Sequence, residues 1–324
     1  MTASLAGSIF FIPEAYPERY PPAVYPRPVR VDDLYLASQT PWPAGSATWV
    51  PFSEDARMTE ILQKPSRANL ISAIEGNLSG IISAYCSWPQ AEVHYESGIQ
   101  WSMTDIPFPL FNSIVGARLS PDEIDGTVLS IVSKAKQRQV PLLWWIGPLT
   151  QPSDLGRHLE RHGFVNEGDM QGMAVYLANL NEDVPMPAGL MVDLVTDDEA
   201  RRQWSRVCAA GFGMPDFVAE AFHAFMCHAD PESVLAYIGW LNGTPVATSL
   251  LVLEAGVAGI YNVTTLPEAR GQGIGAFLTL TPLQEARQRH YKVGILQATR
   301  MGVNIYRSLG FLEYCKIGQY VWEP

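Results

Sequence analysis

Long apolar runs are missing from this chain of 324 residues, and no stretch approaches the length that a membrane span needs. Basic charge is scarce as well: 22 Lys and Arg stand against 33 Asp and Glu, a formal net charge of -11. Nucleic acid and anionic membrane surfaces reward basic patches, so neither is an expected partner. An acidic surface suits a cationic substrate such as an amine, and is equally ordinary for a cytoplasmic protein. Cysteine is sparse. Cys86, Cys208, Cys227 and Cys315 are scattered, with no C-x-x-C pair and, on this reading, no histidine at ligand spacing. That argues against a disulfide framework or a structural zinc, so no metal is expected and the thiols should be reduced, as in the cytoplasm. Ser8-Ile-Phe-Phe-Ile12 is apolar, but no basic residue precedes it and Pro13 cuts it short, so secretion is not expected either.

What is present describes a core-rich globular protein: 47% of residues are hydrophobic and 10% aromatic, and the length suffices for two cores. Residues 1–55 are a leader rich in proline and tyrosine (Pro13, Pro17, Pro21, Pro22, Pro26 and Pro28 among Tyr16, Tyr20 and Tyr25), a density that forbids helix and central strand. A first domain follows over 56–180. In it, Ser66–Tyr85 carries the helical series Leu70, Ile74, Leu78, Ile81; Leu110–Leu119 reads as a strand, Asp125–Gln139 as a helix, Val140–Ile146 as a strand, Ser153–His162 as a helix and Met173–Leu177 as a strand. The polar, proline-bearing stretch 181–189 reads as a linker. A second domain over 190–324 repeats the order, and Asn242-Gly243 between two apolar runs signals a hairpin. Strand–helix–strand–helix–Gly-Phe–strand occurs twice, closing at Gly163-Phe164 and Gly310-Phe311. The chain therefore reads as two copies of one α/β fold.

Two segments carry the chemistry. In Val263-Thr264-Thr265-Leu266-Pro267-Glu268-Ala269-Arg270-Gly271-Gln272-Gly273-Ile274-Gly275, a β-branched strand runs through a turn into a glycine loop that opens a helix. Such a loop aims several backbone N–H groups at one spot, where the helix dipole adds positive potential; it is a site for a pyrophosphate. Downstream, Asn304-Ile-Tyr306-Arg307-Ser-Leu-Gly-Phe311 places a phenol and a guanidinium on a short helix. A dinucleotide fingerprint fits the spacing of Gly271 and Gly273, but it expects an acid at the end of the next strand, and Gly294-Ile-Leu-Gln297 supplies none.

The arginine–x–x–glycine–x–glycine loop after a strand and proline, with the tyrosine helix behind it, resembles the acyl-CoA core of the GNAT acyltransferases. The resemblance covers about residues 190–324, and the first half matches it only in element order. It implies two GNAT-like domains, each a mixed, mostly antiparallel sheet flanked by helices, and acetyl-CoA (or another acyl-CoA) as co-substrate. By the same resemblance, Val263, Thr264 and Thr265 would pair with pantetheine through their backbone. Arg270, Gly271, Gln272, Gly273, Ile274 and Gly275 would cradle the pyrophosphate, with Asn304 and Arg307 near the cofactor's far end. Tyr306 matches the tyrosine that protonates the departing thiolate. The acceptor implied is a small-molecule or peptide amine.

Two departures from the pattern follow from the residues. No acid lies within Gly259–Thr265 to act as general base; Glu254 and Glu268 read as turn residues, and Tyr261 and Asn262 could orient a water instead. In the first half, the position of the glycine loop reads Ser120-Pro-Asp-Glu-Ile-Asp125, whose acids repel a pyrophosphate. That copy should have lost CoA binding, with Trp101, Asp105, Phe108, Trp144 and Trp145 as candidates for a substrate wall. Pro282 should kink the helix after the loop. Two functions fit: acyl transfer to an amine by direct attack, or an acyl-CoA-binding sensor or scaffold without chemistry.

Overall fold

The computed structural model describes residues 61–63, 65–96 and 98–324; the proline- and tyrosine-rich leader and the apolar stretch at 8–12 lie outside the described residues. A first helix, α1 (Arg67–Ala84), starts at a reciprocal cap in which Asn69 N–H donates to Ser66 Oγ (3.2 Å) and Ser66 N–H donates to Asn69 Oδ1 (3.1 Å). The first copy continues with β1 (Glu92–Glu96), β2 (Ile99–Met103), β3 (Ser113–Val115), α2 (Ile124–Arg138), β4 (Leu142–Ile146), α3 (Leu155–Arg161) and β5 (Val165–Tyr176). The second comprises β6 (Leu190–Leu194), α4 (Asp198–Phe212), α5 (Asp216–Met226), β7 (Val234–Leu241), β8 (Thr244–Glu254), β9 (Val257–Thr265), α6 (Ile274–Gln288), β10 (Val293–Ala298), α7 (Val303–Ser308) and β11 (Leu312–Trp322). Residues 181–189 carry no helix or strand.

Element order repeats as the sequence suggests, but the two copies do not keep separate sheets. All eleven strands form one sheet in the order β1-β2-β3-β4-β11-β5-β10-β9-β8-β7-β6. The copies exchange their last strands. β5 lies between β10 and β11, with Ala174 opposite both Ile295 and Leu312, and β11 lies between β4 and β5, with Trp322 opposite Leu142. Outward from the central β11–β5 pair, β4-β3-β2-β1 on one side repeats β10-β9-β8-β7 on the other. The sheet is antiparallel except at β3–β4 and β9–β10.

Alternation along the strands feeds three cores. Leu143 and Trp145 of β4, Met170 and Ala174 of β5 and Ile295 of β10 face one continuous core under α1, α4 and α5. Leu142 and Trp144 face the opposite side, into a core with α2 and α3, while Met173, Val175 and Leu296 pack against α6 and α7. The Asn242-Gly243 turn has positive φ at both residues (51° and 80°), the geometry that a two-residue hairpin between twisted strands selects.

Some local expectations are corrected. The expected strand over Leu110–Leu119 shrinks to Ser113–Val115, because Pro109 opens a 3₁₀ turn to Phe111 and Gly116 takes φ of 66°. The hairpin β1–β2 was not anticipated. The strand placed at Met173–Leu177 begins at Val165, drawn out by two partners on its flanks. α6 runs unbroken through Pro282, which is buried beneath it. α4 is capped by Asp197, whose Oδ1 accepts Ala200 N–H at 2.8 Å. Replacing Asp197 by Ala should lower stability by about 1 kcal/mol in urea denaturation, with the m-value unchanged.

Candidate active site

β9 and β10 run parallel, yet they pair only at Ala258–Gly294 and Gly259–Ile295. Past that point β10 pairs with β5 alone, so the edge of β9 from Ile260 to Thr265 faces an opening rather than a strand. A β-bulge sharpens the divergence: Asn262 adopts φ of 50°, and Asn262 and Val263 together stand opposite Ser249 of β8. The bulge is held from below, where Thr248 Oγ1 donates to the Asn262 carbonyl (2.9 Å) and Asn262 Nδ2 to Cys208 Sγ (3.4 Å). A backbone edge left free in this way can take an extended ligand as an added strand.

The glycine loop follows at the strand's end. Gly271 and Gly273 have φ of 77° and 82°, a region that disfavours any side chain. A Cβ placed on Gly271, Gly273 or Gly275 would meet nothing within 4 Å, so the loop faces open space. Among the described residues, the N–H groups of Gly271 to Gly275 find no acceptor, and α6 has no side-chain cap and no acid in its first turn. Five unpaired N–H groups at a helix N-terminus make a cradle whose natural guest is an anion. The residues thus fit a pyrophosphate, including Gln272, which is exposed, and Ile274, which is buried as the loop's anchor.

Arg270 does something other than reach outward. Its Nε donates to the Thr265 carbonyl (2.8 Å) and one terminal nitrogen donates to the Gly211 carbonyl (2.8 Å), the end of α4. The guanidinium therefore clamps strand, loop and helix together, and the Thr265 carbonyl is already engaged on one side. Asn304 and Arg307 sit exposed on α7. Arg307 donates to Asn304 Oδ1 (3.1 Å) and forms an ion pair with Glu313, so both are committed to one another and to β11.

Tyr306 is buried, its ring edge-on to Phe311 at 6.0 Å between centroids. The Gly-Phe pair thus locks the tyrosine helix. Its hydroxyl has no hydrogen-bond partner among the described residues, though it is not among the sealed, unpaired polar atoms. Burial pushes the phenol above its ordinary value, so it stays protonated through the alkaline range.

On the other face of the bulge lies a cavity of about 40 Å³, walled by Tyr85, Trp145, Trp204, Phe222 and Phe225. Tyr261, Asn262 and Gln297, from the two diverging strands, form its floor. The Tyr261 hydroxyl donates to Asn77 Oδ1 (2.8 Å), and Asn77 Nδ2 donates to the carbonyls of Val252 (3.0 Å) and Glu254 (2.9 Å), tying α1 across the hairpin. Among the described residues, no carboxylate lines the cavity. Glu254 pairs with Val257 at the far end of the β8–β9 hairpin, about 25 Å along the strand from Thr265 at 3.3 Å per residue. Glu268 is exposed beyond the strand end. Of the residues considered for a substrate wall, only Trp145 lines this cavity. Trp101 and Trp144 point to the opposite face of the sheet, Phe108 is buried in the packing of Phe111 and Phe217, and Asp105 pairs with Arg138 at the surface.

In the first copy the corresponding divergence is closed. β3 and β4 also diverge, after Ile114–Trp144, but the chain's own loop fills the gap: Gln151 N–H donates to the Ala117 carbonyl (2.9 Å) and Leu119 N–H to the Gln151 carbonyl (3.0 Å). Glu75 of α1 holds that loop by accepting Leu149 N–H (2.8 Å), and burial raises its carboxyl above the usual range. At the entry to α2, the N-cap residue Glu123 accepts Ser120 N–H (3.1 Å) and places a carboxylate beside the helix N-terminus without capping it. Hydrogen bonds from Ser120 keep that carboxyl below its ordinary value.

Comparison with known proteins agrees with this geometry. No curated protein matches the chain in sequence. A GCN5-related N-acetyltransferase from Kribbella flavida is 19% identical, with a TM-score of 0.61 over 81% of this chain and 97% of that one. A GCN5-related N-acetyltransferase from Sphaerobacter thermophilus is 18% identical, with a TM-score of 0.51 over 80% and 94%. A tandem GNAT protein from the clavulanic acid biosynthesis pathway is 11% identical, with a TM-score of 0.52 over 79% and 94%. At these identities the likeness is one of fold. The family model described as "Acetyltransferase (GNAT) family" matches residues 166–311, a stretch that runs from β5 through the bulge, the glycine loop and Tyr306 to the Gly-Phe pair. Over that stretch the chain is similar to the acetyltransferase (GNAT) family.

Proposed function

We propose that the second half of the chain transfers an acetyl group from acetyl-CoA to an amine, by direct attack of the neutral amine on the thioester. The family moves acyl groups from acetyl-CoA, and one observation carries the reading here: an unpaired strand edge that leads directly into five unpaired N–H groups at the start of α6. In this reading the backbone of Val263, Thr264 and Thr265 orients the pantetheine arm. Residues 271–275 hold the diphosphate, and Arg270 keeps strand and loop in register. Asn304 and Arg307 flank the cofactor's outer end. Tyr306 returns a proton to the leaving sulfur. Most of the rate then comes from proximity and from strand N–H groups that polarise the carbonyl.

Residues 190–324 form the acyl-CoA-binding domain, 56–180 its degenerate copy, and 181–189 the linker. β5, lent by the first copy, flanks β10 on the side away from the opening. An acceptor entering from the cavity meets aromatic rings and, among the described residues, no carboxylate, which fits an amine with an apolar body and leaves deprotonation to solvent. The setting is cytoplasmic, in keeping with four cysteines that are all free.

Calorimetry with acetyl-CoA and release of free CoA in the presence of an amine library test this together. Binding heat and amine-dependent CoA release are expected. Absence of heat with any coenzyme A derivative sinks the reading, and binding without release across the library would favour a sensor that has lost its chemistry.

A further inference from the structure

We infer that Asp198, His223 and Cys227 form a binding site for a divalent cation of the zinc class, bridging the first turn of α4 and the end of α5. His223 and Cys227 are four residues apart, one helical turn, so both side chains leave the same face. The expectation that no histidine stands at ligand spacing overlooked this pair. Its third member, Asp198, lies 25 residues upstream and joins only through the packing of the two helices.

The distances carry the assignment. Zinc bonds of ordinary length at the tetrahedral angle set a thiolate sulfur and an imidazole nitrogen about 3.6 Å apart, and a sulfur and a carboxylate oxygen about 3.5 Å apart. Here Cys227 Sγ lies 3.6 Å from His223 Nε2 and 3.7 Å from Asp198 Oδ1. The third edge, 2.8 Å between His223 Nε2 and Asp198 Oδ1, is a hydrogen bond and must open by about 0.5 Å to reach the corresponding tetrahedral edge. Asp198 is aimed for one-oxygen ligation, because Arg202 Nε holds its other oxygen at 3.0 Å. His223 keeps 18% of its side-chain surface exposed and Asp198 55%, so a fourth position opens to water. A set of one nitrogen, one sulfur and one oxygen suits zinc and excludes magnesium or calcium, which ask for oxygen alone.

Loading the ion moves protons. The Cys227 thiol must give its proton to solvent as the ion binds, because the thiolate is the ligand. The site's place also has a consequence. α4 supplies Trp204, and α5 supplies Phe222 and Phe225, to the aromatic cavity, so an ion pinning the two helices would stiffen that wall.

The test needs no catalytic assay. The full-length protein, reduced and freed of metal with a chelator, is titrated with Zn²⁺ by calorimetry and with Co²⁺ by absorbance. The inference expects one equivalent bound and a thiolate-to-cobalt charge-transfer band. The band should vanish in Cys227→Ser and persist in Cys86→Ser, the other exposed cysteine. Zn²⁺ affinity should drop by more than about 100-fold in His223→Gln, a loss above that seen for outer-shell partners. Circular dichroism keeps a folding defect from passing as metal loss. No stoichiometric binding, a band that survives Cys227→Ser, or unchanged affinity in His223→Gln would each show the three residues to be a hydrogen-bonded helix bridge and overturn the site.

Discussion

Replacing Gly273 by Glu should abolish coenzyme A binding, with affinity falling by more than about 100-fold in calorimetry. Two separable effects add. The residue has φ of 82° and ψ of 0°, the left-handed region, where any side chain costs about 1–2 kcal/mol. The second effect is charge: the new carboxylate would compete for the N–H groups that should receive the diphosphate. The chain contains its own precedent, because Glu123 at the entry to α2 accepts Ser120 N–H at the equivalent place in the first copy. Gly273→Ala separates the two effects. It should carry the strain without the charge, and so bind about tenfold more weakly than the parent rather than not at all, since 1.4 kcal/mol is one decade. Thermal unfolding should show both variants folded, because a Cβ at this position meets no atom within 4 Å. A Gly273→Glu protein that binds coenzyme A as the parent does would remove the loop from the proposal.

How far the sequence discloses this arrangement depends on the range of the forces involved. Local chemistry is legible. Asn242-Gly243 declares its hairpin, the series Leu70, Ile74, Leu78 its helix, Gly271 and Gly273 their loop, and the doubled Gly-Phe its repeat. Non-local pairing is not. Nothing in the composition of β5 or β11 says that each will lie next to strands of the other copy. β5 has a polar run at Asn166–Asp169 and an apolar one at Met173–Tyr176, neither of which names a partner, and register is decided by strands more than a hundred residues away. The same holds for side chains with two possible uses. Arg270 stands at the mouth of the loop in sequence, yet its donors turn to the carbonyls of Thr265 and Gly211, and Gly211 becomes a neighbour only through the fold. Trp144 and Trp145 are adjacent in sequence but opposite in the sheet; the period of two separates a core residue from a cavity residue, and only the topology says which is which.

Gln151 illustrates the harder case. Its residue type carries no signal, yet its backbone pairs with Ala117 and Leu119 to fill the divergence of the first copy. The acidic Ser120-Pro-Asp-Glu stretch is legible as an entry ill suited to an anion, because charge can be read directly. The loop that seals the pantetheine edge could be read only from coordinates.

Tyr306→Phe should lower turnover by roughly 10²-fold while leaving coenzyme A affinity within about twofold of the parent, the signature of an interaction made only in the transition state. The magnitude corresponds to about 2.7 kcal/mol of barrier. Phenylalanine preserves the edge-on packing against Phe311, and the lost hydroxyl has no partner among the described residues, so stability should hardly change. Burial raises the phenol above its ordinary value, which has two consequences of opposite sign. The proton remains in place at alkaline pH, so no falling limb from Tyr306 should appear below about pH 10, the ordinary phenol value. Transfer to the thiolate is also steeper than ordinary acidities suggest, because the buried phenolate lacks solvation; a Tyr306 contribution well beyond 10²-fold is therefore not expected. On the acid side, with no carboxylate among the described residues that line the cavity, kcat/KM should rise with pH as the acceptor itself deprotonates, in the Phe variant as in the parent. Turnover that is unchanged in Tyr306→Phe would take the tyrosine out of the mechanism and leave the departing sulfur to solvent. A pH profile with an acid limb that ignores the acceptor's own pKa would instead point to a titrating group of the protein.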